Sequence, residues 1–187
     1  MAVFEETLAQ LHDSVQLVDI YRDRLDHESL TGIISAFSTD FVYLSLFSDS
    51  GLCNGISIVR VSDITRIRWE GNERTSIQEL IDQKATKPLV PKLNIKSMQD
   101  VITSVQDVFG YVNILTEEMD SEISFIGQVS EMDESYLLFH GYGTMTSRDK
   151  NKMLIDLSKI TRIDAEAPYE KDIVYLATKS SGINELK

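Results

Sequence analysis

The sequence predicts an α+β chain, mostly β, in which two similar units follow one another. The first observation is a phrase that occurs twice, because "SDITRIRW" (62–69) returns as "SKITRIDA" (158–165). The second is that the same order of patterns precedes both phrases, a helical pattern and then short β segments. The third is a stretch with two prolines, "TKPLVPKLN" (86–94), that separates the two halves. Together these observations indicate an internal duplication.

Each unit is expected to begin with an amphipathic helix. Apolar residues recur at the three- and four-residue spacing of a helix that buries one face. They occur at positions 4, 8, 11, 15 and 18 in the first unit, and at 98, 101, 102, 105, 109 and 112 in the second.

Short β segments follow each predicted helix. The stretch "TGIISAFSTDFVYLSLF" (31–47) aligns with "IGQVSEMDESYLLFHGY" (126–142), which places Gly32 over Gly127. Branched and aromatic residues between turn signals such as "STD" and "EMDES" are typical of strands. A short helix is expected to close each unit, over 76–85 in the first and 169–179 in the second.

The order of these features resembles that of the Sm-like small β-barrel. The resemblance rests on a glycine in the first strand, a polar turn, an aliphatic second strand and a late strand–turn–strand that closes on an isoleucine. The stretch "LTGIISAFSTDFVYLSLF…GISIVRVSDITRI" has this pattern, and the resemblance covers roughly residues 1–70 and 95–165. It implies that each unit is an N-terminal helix, a small five-stranded barrel and a short closing helix. Sm-like RNA binders also carry an asparagine after the aspartate of the second strand and an arginine-glycine or lysine-histidine pair near the last turn. Neither signature is present here.

The boundary between the units is expected in the proline-containing stretch. Two prolines in four residues favour extended backbone and remove two amide donors, which suits a linker. We therefore expect a first helix-plus-barrel unit over 1–87, a linker over 88–94 and a second helix-plus-barrel unit over 95–187.

Composition and charge narrow the classes of partner. The net charge is −12, which opposes the approach of nucleic acid or of an anionic membrane surface. No apolar run is long enough to span a bilayer, and the N-terminal stretch lacks the pattern of a signal peptide. The single cysteine, Cys53, cannot form a disulfide within the chain. These observations predict a cytoplasmic protein without a membrane partner.

The side chains that carry chemistry do not form a catalytic or metal-binding motif in the sequence. The three histidines, His12, His27 and His140, show no ligand spacing, and a zinc site needs about four ligands at short spacings. Cys53 lies in a predicted hairpin loop without a base beside it in the sequence. We therefore expect no catalytic residue, no metal and no cofactor, and the weakest alternative is an enzyme that uses Cys53 or His140.

One stretch of the first unit offers an alternative, RNA-binding function. Arginines interleaved with aromatic residues can bind single-stranded nucleic acid. The residues concerned are Arg60, Arg66, Arg68 and Trp69. The second unit has Asp156, Arg162 and Asp164 at the matched positions of the arginines, so a solvated strand face is the competing interpretation.

The leading functional prediction is a non-enzymatic protein that acts through protein–protein contacts or self-association. The predicted strand "FVYLSLF" (41–47) is apolar on both faces, and a strand of this kind is usually covered on both sides. The cover can come from the chain's own helix, from the sister unit or from another molecule. The predicted interaction surface comprises Phe41, Tyr43, Phe47 and their matched residues Tyr136, Leu138 and Tyr142.

Overall fold

A computed structural model describes residues 2–119, 123–147 and 149–182 of the chain. In these residues the chain forms a ten-stranded antiparallel sheet and four α-helices. The elements of the first half are α1 (Ala2–Asp13), β1 (Leu17–Tyr21), β2 (Leu30–Phe37), β3 (Phe41–Phe47), β4 (Cys53–Arg60), β5 (Arg66–Arg68) and α2 (Asn72–Lys84). Those of the second half are α3 (Met98–Phe109), β6 (Val112–Leu115), β7 (Ser124–Met132), β8 (Tyr136–Gly141), β9 (Asn151–Asp156), β10 (Arg162–Ala165) and α4 (Pro168–Gly182).

The prediction of two separate five-stranded Sm-like barrels is wrong. The strands form one open sheet in the order β5-β1-β2-β3-β4-β10-β6-β7-β8-β9. The reason is the position of β10, which pairs with β6 of its own half on one side and with β4 of the other half on the opposite side. The backbone groups with which β4 and β10 would close separate barrels therefore pair with each other and join the halves. The fold class is corrected from two duplicated barrels to one continuous sheet, and the resemblance to the Sm-like barrel does not hold.

The two halves nevertheless repeat one strand order. In each half the last strand lies beside the first, giving β5-β1-β2-β3-β4 and then β10-β6-β7-β8-β9. Residues 86–97 connect the halves without forming a helix or strand. The domain limits 1–87, 88–94 and 95–187 stay a prediction, and residues 183–187 of the predicted second unit lie outside the described residues.

Local signals fix where α3 begins and ends. The Ser97 side chain accepts a hydrogen bond from the Asp100 amide, which satisfies one of the free donors of the first turn. Gly110 follows the helix with φ 80°, a left-handed conformation that ends a helix without a steric penalty. The apolar face of α3 is buried against the sheet through Met98, Val101, Ile102 and Val105.

Gly32 and Gly127 have the same structural role in the two halves. The sequence alignment places them at equivalent positions. A Cβ atom on Gly32 would collide with the Ser45 carbonyl oxygen, and one on Gly127 with the His140 carbonyl oxygen. Each glycine therefore allows its strand to lie unusually close to the next one. A shift in register follows within a few residues on both strands, between Ile34 and Ala36 on β2 and between Val129 and Glu131 on β7.

The core crosses the boundary between the halves. The largest cluster of buried apolar residues combines α3 and the strands of the second half with Phe41, Tyr43, Ile56 and Ile58 of the first half. A second cluster lies beneath α1, and a third beneath α2. Among the described residues, no helix has both the length and the apolar character needed to cross a membrane.

Candidate functional site

In each half, residues of the repeated phrase bond to the end of the half's first strand, β1 or β6, and to a carboxylate just beyond it. In the first half, the Thr65 amide donates to the Tyr21 carbonyl at 2.9 Å, and the Thr65 hydroxyl donates to Asp23. Arg66 closes the arrangement with two hydrogen bonds to the same carboxylate, at 2.9 and 3.0 Å. The hydrogen bonds from Arg66 and Thr65 lower the pKa of Asp23, so this carboxylate is charged at neutral pH.

The second half repeats this arrangement in a buried setting. The Thr161 amide donates to the Leu115 carbonyl at 3.0 Å, and the Thr161 hydroxyl donates to Glu117 at 2.7 Å. Glu117 also accepts two hydrogen bonds from Arg22 of the first half, whose side chain is 0% exposed. Burial opposes the ionisation of Glu117, but the Arg22 guanidinium outweighs it and lowers the pKa of that carboxyl. A buried ion pair thus joins the halves.

Arg60 makes a second set of contacts between the halves, at the junction where β4 pairs with β10. Its Nε donates to the Ile160 carbonyl at 2.8 Å, and its Nη2 donates to the Leu157 carbonyl at 3.0 Å. Both acceptors lie just before β10, so this arginine fixes the position of β10 against β4.

The structure places the predicted RNA-binding residues in two locations. Arg60 lies at the junction, whereas Arg66 and Arg68 lie on β5 at one end of the sheet. Arg66 stacks on the Tyr21 ring at 3.5 Å, and Arg68 contacts the carboxylates of Asp19 and Glu73. RNA binding through these residues and Trp69 stays a prediction, and it would require each guanidinium to exchange a partner within the chain for a phosphate.

The predicted interaction surface divides between the two halves. Phe41, Tyr43 and Phe47 are buried by the chain itself. The connecting segment 86–97 covers part of this face, since the Tyr43 hydroxyl donates to the carbonyls of Leu89 and Pro91 at 3.4 and 3.3 Å.

The matched face of the second half is only partly covered: Tyr136 is exposed and Leu138 is half-buried, whereas the third predicted residue, Tyr142, packs against the core. This face consists of three cross-strand pairs on β8 and β9, which we call the open face: Tyr136 with Asp156, Leu138 with Leu154, and His140 with Lys152. Tyr136 is 44% exposed and Leu154 is 69% exposed. Their counterparts in the first half are the pairs Phe41–Arg60, Tyr43–Ile58 and Ser45–Ile56. The aromatic and aliphatic members of those pairs are buried.

The open face borders an unpaired sheet edge. Within residues 2–119, 123–147 and 149–182, β9 pairs only with β8 and ends the sheet. Its matched strand in the first half, β4, pairs with β3 on one side and with β10 on the other. An edge strand presents unpaired N–H and C=O groups that another extended chain can bind.

Charge changes sign along the open face. One end carries Asp156 and, in the adjoining turn, Asp133. Hydrogen bonds from nearby serine and backbone donors lower the pKa of both carboxyls. The other end carries His140 and Lys152, where a cleft of about 480 Å³ opens between the strands and α4. The apolar pair Leu138–Leu154 lies between the two ends.

Sequence reasoning identified two of the six residues of this face. Tyr136 and Leu138 were predicted to belong to an interaction surface, whereas Leu154, Lys152 and Asp156 were missed. The signal for these three is the alternation in "NKMLID" (151–156), which assigns them to one side of a strand. That alternation does not show that the strand lies at an edge.

The two residues of the enzyme alternative, Cys53 and His140, lie on different strands. Cys53 begins β4 and pairs with Phe47 in the ladder, and His140 contacts the Ser130 hydroxyl at 3.1 Å. No cluster of metal-ligating side chains occurs among the described residues. What the geometry offers is an apolar, charge-flanked strand edge, which is suited to binding another chain.

Comparisons with known proteins give no further identification. No family model matches the chain, and neither the curated proteins nor the solved structures include a match.

Proposed function

We propose that this chain is a non-catalytic binding protein that takes up a protein partner along β9 and the open face. The observation that supports the proposal is the difference between matched surfaces of the two halves. The β4 edge is paired with β10, and the face beside it is buried. The β9 edge and its face lack such cover in the described part of the chain.

The surface has the composition of a binding site for a polypeptide. An added strand would gain main-chain hydrogen bonds from β9, and its side chains would contact Leu154 and Tyr136. Aromatic and aliphatic groups at the centre of such a surface supply most of the binding energy, while charged groups at the rim set orientation.

Site-specific photo-crosslinking tests this proposal. A photoreactive amino acid is placed at Leu154 in the full chain, expressed at natural levels in the cells that make the protein, and adducts are identified by mass spectrometry. Val90 is the matched control position, because it is apolar and 57% exposed but lies on the connecting segment. We expect one discrete protein adduct from position 154 and none from position 90.

A variant separates specific binding from chance collision. Tyr136→Ala removes the neighbouring aromatic group and should reduce the yield of the position-154 adduct severalfold. The proposal is refuted if position 154 gives no adduct above that of position 90, or if the adducts are the same at both positions.

A further inference from the structure

Strand β9 can pair with its own copy in a second molecule. Within the described residues β9 ends the sheet, so it is a free edge in every copy of the chain. A two-fold axis perpendicular to the sheet sets β9 antiparallel to β9 and keeps the open faces of both copies on the same side. The unpaired N–H and C=O groups of one strand can then bond to those of the other.

The residue that lies on the axis decides which side chains meet. Directly opposed residues of an antiparallel pair point to the same face, so the axis passes through a residue, and residues equally far from it on either side are opposed. With Leu154 on the axis, leucine is opposite leucine, and Lys152 of each copy is opposite Asp156 of the other. An axis at Lys152 would set lysine against lysine. An axis at Met153 or Ile155 would set Leu154 against a charged residue.

The register about Leu154 satisfies both charges of the strand. Opposite charges directly across a strand pair stabilise it, and like charges destabilise it. Because charge changes sign along the open face, the acidic end of each copy meets the basic end of the other. We infer that the occupant of the open face is a second copy of this chain, joined by antiparallel β9–β9 pairing about Leu154. This inference rests on the proposed function and specifies its partner.

The resulting interface repeats a feature of the internal junction. There, one buried apolar row crosses β3, β4, β10 and β6 and consists of Tyr43, Ile58, Ile163 and Ile114. The matched row on the open face has two members, Leu138 and Leu154, and it stops at the free edge with Leu154 69% exposed. Pairing of two copies extends this row to four leucines, two from each copy, and gives it the length of the internal row.

The free edge at the other end of the sheet does not allow an equivalent pairing. This edge is β5, which has three residues. A two-fold axis through Ile67 would set Arg66 of each copy opposite Arg68 of the other. Like charges in these positions destabilise a strand pair, so β5 is unsuited to pairing with its own copy.

A contact between β5 of one copy and β9 of another also leaves the charges unmatched. With Ile67 opposite Leu154, the two charged residues of the β9 face would be opposed by Thr65 and Trp69. Such a head-to-tail contact makes a ring or a filament rather than a dimer. The β9–β9 pair uses the free edge of each copy once and closes as a dimer.

Cysteine cross-linking tests the register. In a Cys53→Ser background, which removes the natural thiol, three variants carry one cysteine each at position 152, 154 or 156. In the proposed dimer the two copies of position 154 are directly opposed, with Cα atoms about 4.5–5.5 Å apart, a distance that a disulfide spans. The two copies of position 152 lie about 13 Å apart along the strands, as do those of position 156, and a disulfide cannot span that distance.

The three variants are oxidised with oxidised glutathione, and the disulfide-linked dimer is measured over time. We expect Leu154→Cys to cross-link at least about tenfold faster than Lys152→Cys or Asp156→Cys, which are the controls for chance collision on the same strand face. When these two controls are mixed, they should cross-link with each other, because positions 152 and 156 are opposed. Equal rates for all three variants, or a mixture no faster than its components, would overturn the inference.

Sedimentation equilibrium measures the association without a cross-link. The paired strands are short, so we expect a Kd of roughly 10 µM, and unfolding followed at about 1 µM then reports on the single chain. Lys152→Asp makes both charge pairs repulsive and should weaken the dimer about tenfold or more. Lys92→Asp makes the same change in net charge at an exposed position of the connecting segment, and it should leave the dimer unchanged.

The outcomes distinguish this inference from the proposed function. If photo-crosslinking from position 154 captures only a different protein, or captures an adduct while the chain stays monomeric up to about 300 µM, the second copy is wrong and binding at the open face stands. If the chain forms assemblies that Lys152→Asp leaves unchanged, the copies meet elsewhere and the inference is overturned. If position 154 forms no adduct, the proposed function fails.

Discussion

The ion pair between Arg22 and Glu117 gives a sharp prediction about how the halves are held together. Arg22 is fully buried, and its guanidinium bonds both carboxylate oxygens of Glu117. The next carboxylate, that of Asp26, lies 3.9 Å from Arg22. In Glu117→Gln, the guanidinium keeps its charge, and the carboxylate that remains beside it among the described residues is the more distant one of Asp26.

Removal of one member of a buried ion pair costs about 3–5 kcal/mol, because the other charge stays buried without compensation. We expect Glu117→Gln to lose about 3 kcal/mol, since Asp26 supplies part of the missing charge. In a chain of 187 residues this corresponds to a fall in Tm of roughly 6–12 °C. Arg22→Met should cost a similar amount, because the Glu117 carboxylate stays buried and keeps only the more distant Arg162 guanidinium, at 3.7 Å, among its described ion-pair partners.

The assay is urea unfolding followed by circular dichroism and by the fluorescence of Trp69, the single tryptophan. The double variant Arg22→Met/Glu117→Gln has no unpaired buried charge at this position. It should therefore be more stable than the sum of the single losses predicts, by about 2 kcal/mol or more. Single losses that add to within about 0.5 kcal/mol, or a Glu117→Gln loss below about 1 kcal/mol, would refute the reasoning.

Four further predictions concern other parts of the structure. Burial, followed by the charge of Asp164, raises the pKa of Glu170 to about 7, so the folded chain holds a proton that the unfolded chain releases. The free energy of unfolding should therefore fall by roughly 3 kcal/mol as pH rises from about 4.5 to about 7. Glu170→Gln should abolish that fall, and parallel pH curves for the two proteins would contradict the assignment. Gly32→Ala should cost roughly 2–3 kcal/mol in urea unfolding, because the new methyl group meets a carbonyl oxygen of β3. Arg60→Ala removes two charge-assisted hydrogen bonds and should cost about 2 kcal/mol, with faster hydrogen exchange at the β10 amides; unchanged exchange would count against its role at the junction. Leu154→Lys should leave stability within about 0.5 kcal/mol, because the side chain is mostly exposed, and a larger loss would mean that it packs within the chain.

The sequence predicted the local elements well where a periodic pattern and a boundary signal coincide. The helix expected over 169–179 is α4, with Pro168 at its first position, and the helix expected over 76–85 is α2. The first predicted helix is shorter than its apolar pattern, which ran to position 18. The chain leaves the helix after Asp13 because Val15 has φ 52°, and Val18 then belongs to β1.

The joining of the halves could not be read from the pattern. Hydrophobic alternation shows which face of a strand is buried, but it carries no information about which strand lies beside it. The pairing of β4 with β10 rests on backbone hydrogen bonds, and the Arg22–Glu117 contact joins residues 95 positions apart. For the same reason the sequence could not show that Phe41 and Tyr43 are covered by the segment that follows their own half, whereas Tyr136 reaches solvent.

The pairing of β4 with β10 has a consequence for synthesis of the chain on the ribosome. β4 ends at residue 60 and β10 begins at residue 162, so 102 residues must be added before the partner of β4 exists. At about 5–20 residues per second, the nascent first half waits roughly 5–20 s with that edge exposed. During this interval Phe41 and Tyr43 lack the second-half residues of their core cluster, and Tyr43 gains its contacts with segment 86–97 only once that segment has emerged. The newly made first half therefore exposes a strand edge and apolar side chains that the complete chain covers, and these are features that favour aggregation.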